Sequence, residues 1–200
     1  MPSVTTTVHR TRRYRPVRPP MALYQSRVVR VRQISPNIRR VSLVGEGFAA
    51  MPSAGPDQRV KLMLPLPGQE RPQVDGVETV ADFLALPDGV RPIMRTYTVR
   101  HHRRAAAEID IDFAQHGELG PASRWVSTAE PGDEVAVYGP ASDYEETGDA
   151  RWQLIAGDES ALPAIGVIVE SLRQQQKATV FVEIADERDE QRFDSSVDVE

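Results

Sequence analysis

The chain has 200 residues, 40% of them apolar and 26% charged, with a net charge of −5. That length fits one large domain or two small ones, burying roughly 70% of the unfolded surface, and no apolar run approaches the roughly 20 residues that span a bilayer. Cysteine is absent, which excludes disulfides, thiolate zinc and ordinary iron–sulfur clusters and leaves redox chemistry to a bound organic cofactor.

The first 45 residues hold ten Arg and no acid, so the remainder sums to about −15. Residues 1–22 read as a basic, solvated, disordered arm. Nucleic-acid binding is not expected of it, because Tyr14 is the single aromatic among residues 1–20. Arg12-Arg13 is followed by no hydrophobic segment, so neither a twin-arginine nor a secretory signal is read and the expected location is cytoplasmic. Met21 stands as an alternative start.

After Pro16–Pro20 the pattern becomes strand-like. Tyr24–Ile34 alternates, placing Val29 and Val31 on one face and Arg30 and Arg32 on the other. Ser35-Pro36-Asn37 is a turn signal, and Ile38–Val44 a second strand. Arg59–Leu64 sets Val60, Leu62 and Leu64 against Arg59, Lys61 and Met63. A polar, Pro- and Gly-containing insertion runs from Pro65 to about Pro92, and Thr96–Arg100 is a further strand. Ala107–Ala114 alternates most clearly, with Ile109, Ile111 and Phe113 against Glu108, Asp110 and Asp112. Gly120-Pro121-Ala122-Ser123 opens a short helix to about Thr128, with proline where a missing N–H is harmless. Pro131-Gly132-Asp133 turns the chain into Glu134–Tyr138. Short strands, turns and one short helix describe a β-barrel over residues 23–150.

Residues 151–200 change character. Trp152–Ala156 reads as a buried-type strand, followed by Gly157-Asp158-Glu159-Ser160. Leu162, Ile165, Val169 and Leu172 recur at helical spacing, and Ala178–Ile184 is apolar again. This is one βαβ unit, which cannot cover both faces of a parallel sheet, so a partial α/β domain is expected.

Arg95-Thr96-Tyr97-Thr98 at the predicted barrel rim offers what a flavin requires: a bidentate phosphate clamp, a flat aromatic face and a short hydroxyl donor. Alone, the four residues are a weak signal, and an exposed strand on a barrel wall accounts for them more readily. Downstream, His116-Gly117 precedes Gly120-Pro121-Ala122-Ser123, a helix N-terminus whose free N–H groups favour an anion. Trp125 fits a core position better than a cofactor contact. The four histidines, His9, His101, His102 and His116, are scattered or adjacent; adjacent strand residues face opposite ways, and no metal site is expected.

Arg95–Thr98, Asp112-Phe113, His116-Gly117, Gly120–Trp125, Pro131-Gly132-Asp133 and Gly139-Pro140, in this order, resemble the FAD-binding domain of the siderophore-interacting proteins, relatives of the ferredoxin-reductase-like flavoproteins. Ser35-Pro36, Arg39-Arg40-Val41, Pro56-Asp57-Gln58 with Lys61, and Ala156–Ile165 with Val182-Glu183 extend the match across about residues 23–190. The resemblance implies an antiparallel Greek-key barrel holding FAD, with NAD(P)H as co-substrate. It places Arg95 on the FAD pyrophosphate, Tyr97 against the isoalloxazine and Thr98 near N5. His116, Gly117, Gly120, Ala122 and Ser123 would hold phosphate and ribose. Asp158, Glu159, Ser160 and Ala161 would face the nicotinamide dinucleotide, and Lys61 the acceptor. The family's usual continuation, with an Ala-Gly-Glu strand and an aromatic and basic segment, does not follow Val197, and neither G-x-G-x-x-G nor a P-loop is present.

The implied activity is a ferric-siderophore reductase: hydride passes from NAD(P)H to flavin, and single electrons pass to the chelate, releasing Fe²⁺. The protein supplies position and charge, and no catalytic acid or base is named. The rival readings are a flavin reductase with another acceptor and an FAD- or chelate-binding module without turnover.

Overall fold

Residues 19–115, 120–144 and 150–195, together with 197 and 199, are described by a computed structural model. Its strands are Ala22–Ser35 (β1), Ile38–Val44 (β2), Arg59–Leu64 (β3), Ile93–Arg103 (β4), Glu108–Ala114 (β5) and Glu134–Ala141 (β6). They close into an antiparallel barrel in the order β1-β2-β5-β4-β3-β6, with β6 returning to β1. Closure removes the sheet edges that would otherwise recruit other chains. Val41, Leu43, Leu62, Ile109, Ile111 and Val137 fill the interior, each essentially without solvent exposure. The inward–outward alternation read for β3 and β5 therefore holds for their apolar residues.

Two details of the sequence reading change. Along β1 the inward residue is Val28, not Val29, because the ladder with β2 shifts register between Val28 and Arg30. A bulge of this kind inserts one residue and inverts the faces beyond it. The insertion after β3 is also less polar in effect than expected. Val74, Val77 and Phe83 are buried against Met63, Ala136 and Tyr138, so the segment covers an outer patch of the barrel wall. It carries the short helix Val80–Ala85 (α1), capped reciprocally by Thr79 and Asp82.

Helix Pro121–Thr128 (α2) plugs one end of the barrel. Ala122 and Val126 are buried in the main core, and Trp125 packs beside them, giving the i, i+3, i+4 face expected of a docked helix. The second unit contains parallel strands Trp152–Asp158 (β7) and Lys177–Glu183 (β8), joined by helix Leu162–Glu170 (α3). Leu162, Ile165, Ile168 and Val169 of α3 are buried. The opposite sheet face is open: Trp152, Leu154 and Phe181 are 58%, 57% and 63% exposed, so β7 is not the buried strand its composition suggested.

Polar contacts among the described residues tie this unit to the barrel. Arg100 of β4 grips Glu170 of α3 through two bonds of 2.7 and 2.6 Å. Asp189, itself buried, accepts from Ser35 Oγ (2.6 Å), Asn37 N (2.9 Å) and Asn37 Nδ2 (2.7 Å) in the β1–β2 turn.

Candidate functional site

Strand β4 changes partner halfway along its length. Ile93–Thr98 pairs with β3, whereas the ladder with β5 begins only at Val99. Among the described residues, no strand occupies the β5-side edge of the first half. Directly opposed residues share a face, so Arg95 and Tyr97 lie with Leu62 and Val60 on the inward side, and Thr96 and Thr98 lie with Lys61 and Arg59 outside. Tyr97 packs 4.4 Å from Phe113, which lies 5.8 Å from Trp125 of α2. This aromatic column fills the gap where β4 and β5 splay. Each such pair adds about 0.5–1.5 kcal/mol beyond area burial.

Burial pushes the Tyr97 phenol up to about 12, with slight opposition from the Arg95 charge. The ring therefore presents a neutral hydroxyl donor at working pH. Arg95 is exposed, and its Nη1 donates to the carbonyl of its own neighbour Met94 at 2.8 Å. Among the described residues, it makes no ion pair.

At the tip of α2, Gly120 is an extended N-cap that offers no side-chain acceptor to the first-turn N–H groups, and Pro121 follows. An anion there is favoured by about 0.3–2 kcal/mol. Ile93, two residues before Arg95, shares a cavity wall with Pro121, Arg124 and Trp125, so the β4 rim and the α2 tip occupy one side of the molecule. The Arg95 guanidinium on β4 and the first-turn N–H groups of α2 are donor types suited to a pyrophosphate.

Beyond Tyr97 lies a cleft of about 350 Å³. Thr96, Tyr97, Thr98, Asp57, Arg59 and Asp112 wall it from the barrel, and Ser160, Pro163 and Ala164 from the second unit. The β7–α3 turn is shaped by Asp158, whose Oδ1 accepts from Ser160 N (3.0 Å) and Oγ (2.6 Å). Gly157 makes the close strand-to-helix approach possible, since a Cβ there would lie 2.6 Å from that of Ala161 and 3.3 Å from Ile165 Cδ1. Ala161 begins α3 as its N-cap, and Glu159 is half-buried in the same turn.

The structure thus brings Tyr97, Thr98 and Ser160 to one cleft, which Arg95, Gly120, Ala122 and Ser123 do not line: Arg95 is exposed on β4, and Ala122 is buried in the barrel core. His116 and Gly117 lie outside the described residues. Lys61 is half-exposed opposite Thr96 and does not line the cleft, but its strand neighbour Arg59 does. The sequence reading assigned no role to Asp57, Arg59 or Asp112. Asp57 accepts from Asp143 N and Tyr144 N, both at 3.1 Å, and Arg59 pairs with Asp143 at 2.7 Å. Asp112 is buried and takes two bonds from Arg40, at 2.6 and 2.7 Å. The motif matches at Pro56-Asp57-Gln58 and Asp112-Phe113 were the available signals, and neither specifies a cleft wall.

Next to Asp112 along the chain, Asp110 anchors a charged cluster behind the rim. It is 3% exposed and accepts from Ser42 Oγ (2.6 Å), Arg103 (2.6 and 2.8 Å) and His101 Nδ1 (3.0 Å). Arg100 Nη1 lies 3.2 Å from His101 Nε2 and can only donate, so the hydrogen resides on Nδ1. Burial alone would raise the Asp110 carboxyl, but hydrogen bonds from His101, Arg103 and Ser42 outweigh it and hold the group well below its ordinary range. A depressed carboxyl stabilises the fold fully above its unfolded value near about 3.9 and loses that contribution as pH falls toward its folded value. Asp110→Asn is expected to cost about 1–3 kcal/mol at neutral pH and to flatten the loss of stability below about pH 4. Urea unfolding across a pH series measures both; an unchanged acid limb in the variant would count against the assignment.

Comparison with known proteins fixes the family. The siderophore-interacting FAD-binding domain matches residues 27–144, and the siderophore-interacting protein family matches residues 150–200. The chain belongs to the siderophore-interacting protein family. Ferric vibriobactin reductase ViuB of Vibrio cholerae is 35% identical over 161 residues, covering 80% of this chain and 58% of that protein. The NADPH-dependent ferric-chelate reductase of Escherichia coli is 35% identical over 150 residues, covering 72% and 55%. The chain therefore spans less than two thirds of the length of these relatives. A siderophore utilization protein from T. fusca superposes with a TM-score of 0.71 at 31% identity, over 91% of this chain and 70% of that one. The ferredoxin reductase of carbazole 1,9a-dioxygenase shares the fold, with a TM-score of 0.65 at 16% identity over 93% and 51%. The barrel of this siderophore-interacting protein is the family's FAD-binding domain. Among its described residues, no helix is long and apolar enough to cross a membrane.

Proposed function

We propose that the chain is the flavin-holding part of a cytoplasmic reductase that takes hydride from NAD(P)H and passes electrons to a ferric siderophore, releasing iron as Fe²⁺. The observation that carries this reading is the cleft where the Thr96–Thr98 rim faces Ser160, Pro163 and Ala164. One wall comes from the FAD-binding domain and the other from the unit expected to face nicotinamide. When bound, FAD supplies a carrier that accepts two electrons and releases them singly.

The chain's own residues position and exclude. Arg95 and the α2 tip at Gly120, Ala122 and Ser123 would hold the pyrophosphate, with His116 and Gly117 beside the ribose. Tyr97 would press its face on the ring from a fixed aromatic column, and Thr98 would direct its hydroxyl toward N5. Asp158, Glu159, Ser160 and Ala161 form the turn against which the nicotinamide would lie, with Pro163 and Ala164 keeping water from that wall. Lys61 places positive charge on the outward face of β3, where an anionic chelate would be attracted, while the charge of Arg59 is balanced by Asp143. Oxygen donors that bind Fe³⁺ tightly hold Fe²⁺ more weakly, which favours release after reduction.

The test is spectroscopic. The FAD-loaded chain under anaerobic conditions should lose its visible flavin absorption on addition of NADPH. A ferric hydroxamate or catecholate should restore it, with ferrous iron appearing in a colorimetric trap. Flavin that NADPH leaves oxidised, or reduced flavin that ferric chelates leave bleached, would overturn the proposed activity.

A further inference from the structure

A cavity of about 440 Å³ lies along the seam between β4 and α3, and no residue lines both it and the cleft at Tyr97. Arg100, His101, His102 and Arg104 line it from β4 and the turn that follows. Val167 borders it from α3, and Ser53 and Gln58 from the approach to β3. Among the described residues lining it there is no Asp or Glu. The wall is also rich in donors that lack acceptors. Arg100 and Gln58 are 7% and 6% exposed. Arg100 commits both terminal nitrogens to Glu170, but its Nε has no hydrogen-bond partner among the described residues. Gln58 Oε1 accepts from Ala54 N at 2.9 Å, which orients the amide and leaves Nε2 with the Met51 sulfur, a weak acceptor, at 3.5 Å. Buried donors so poorly answered are uncommon in folded proteins and call for a partner.

We infer that this cavity binds a small oxyanion, a phosphate or a carboxylate, at the junction of the two units. Two of its four basic side chains are already matched, Arg100 by Glu170 and His101 by Asp110. His102 is fixed by its Nε2, 2.7 Å from the Phe48 carbonyl. Arg104 is exposed and, among the described residues, makes no ion pair, so it brings an uncommitted charge to the wall. An ionised oxyanion accepts hydrogen bonds and donates none, which suits a border of guanidinium and amide N–H groups. Bonds from guanidinium to phosphate or carboxylate are also the strong, charge-assisted kind. The volume falls within the range of small-molecule sites. Because β4 supplies the donors and α3 the opposing Val167, an occupant favours the docked arrangement of the two units. The site takes no part in electron transfer and stands apart from the flavin reading.

Calorimetric titration of the full chain with inorganic phosphate and with malonate tests this, against sodium chloride at equal ionic strength. At least one of the two should bind and raise the unfolding temperature, where chloride does neither. Phosphate alone assigns the site to phosphate esters, malonate alone to dicarboxylates, and each result supports it. Arg104→Gln removes the uncommitted charge and should lower affinity about tenfold. Ser53→Glu sets a carboxylate on the wall and should abolish binding. Both positions are exposed, so unfolding in chloride should match wild type and separate loss of the site from loss of the fold. A chain that binds neither anion beyond the chloride control, or a folded variant that keeps wild-type affinity, would overturn the site.

Discussion

On the proposed FAD site, Arg95→Ala is expected to weaken FAD binding by about 10- to 100-fold, the loss of a charge-assisted phosphate contact of about 1.5–3 kcal/mol. In the protein without cofactor, the Arg95 side chain is loosely tied to the fold. It is exposed, and it donates to the Met94 carbonyl at 2.8 Å. Among the described residues, no carboxylate competes for it. Truncation therefore removes little from the fold, and thermal stability without FAD should stay close to wild type. Arg95→Lys keeps the charge but loses the planar fork, so it should recover only part of the affinity. Arg95→Glu sets like charge beside the pyrophosphate and should exceed the alanine effect. Because an exposed ion contact is screened by salt, wild-type FAD affinity should fall with ionic strength more steeply than that of Arg95→Ala. Fluorescence titration at two salt concentrations measures all of this. An alanine variant with wild-type affinity would remove Arg95 from the site.

The ease with which the Arg95–Thr98 cluster stands out as a candidate has a physical origin. A phosphate clamp, a ring platform and a hydroxyl within four consecutive residues are all local, and alternation along a strand assigns their faces without tertiary knowledge. The barrel was legible for a related reason. Ile109, Ile111 and Phe113 alternate so regularly that one buried face is implied, and they are buried. What local pattern cannot give is the partner on the far side. Asp110 and Asp112 were placed on the outer face, correctly, yet they are covered there by Arg103, His101 and Arg40. Arg40 belongs to β2, and nothing in β5 itself announces that pairing. The β1 bulge escaped for a similar reason, since Val28-Val29 offers two equivalent apolar residues and only the ladder chooses between them. Trp152, Leu154 and Phe181 show the opposite failure, because apolar composition implies burial but does not supply an element to provide it. The cleft itself was half legible. Its barrel wall contains the Thr96–Thr98 cluster, but Asp57 and Arg59 enter through the β3 approach and the Asp143 contact, pairings across many tens of residues.

Glu170→Ala is expected to destabilise the chain by about 2–4 kcal/mol, through a buried cation left without its partner. Arg100 is 7% exposed, its two terminal nitrogens are committed to Glu170, and its Nε already lacks a hydrogen-bond partner. The pair is also the clamp between β4 and α3, the strand that carries Tyr97 and the helix that carries Pro163 and Ala164. Phe193 closes over it, with its ring centroid 5.9 Å from the Arg100 guanidinium carbon and its edge against Gly166 of α3. Loosening this contact leaves the FAD rim intact, because Arg95, Tyr97 and α2 all belong to the barrel, but it releases the opposing wall. FAD affinity should therefore remain at the wild-type value while anaerobic bleaching by NADPH slows by about tenfold or more, as misplacement of reacting groups predicts. Arg100→Met combined with Glu170→Leu replaces the pair with apolar volume and should recover most of the lost stability. If the double variant regains its stability and also its rate, packing between β4 and α3 positions the wall. If it regains stability alone, the charge pair itself sets the register of α3 against the rim.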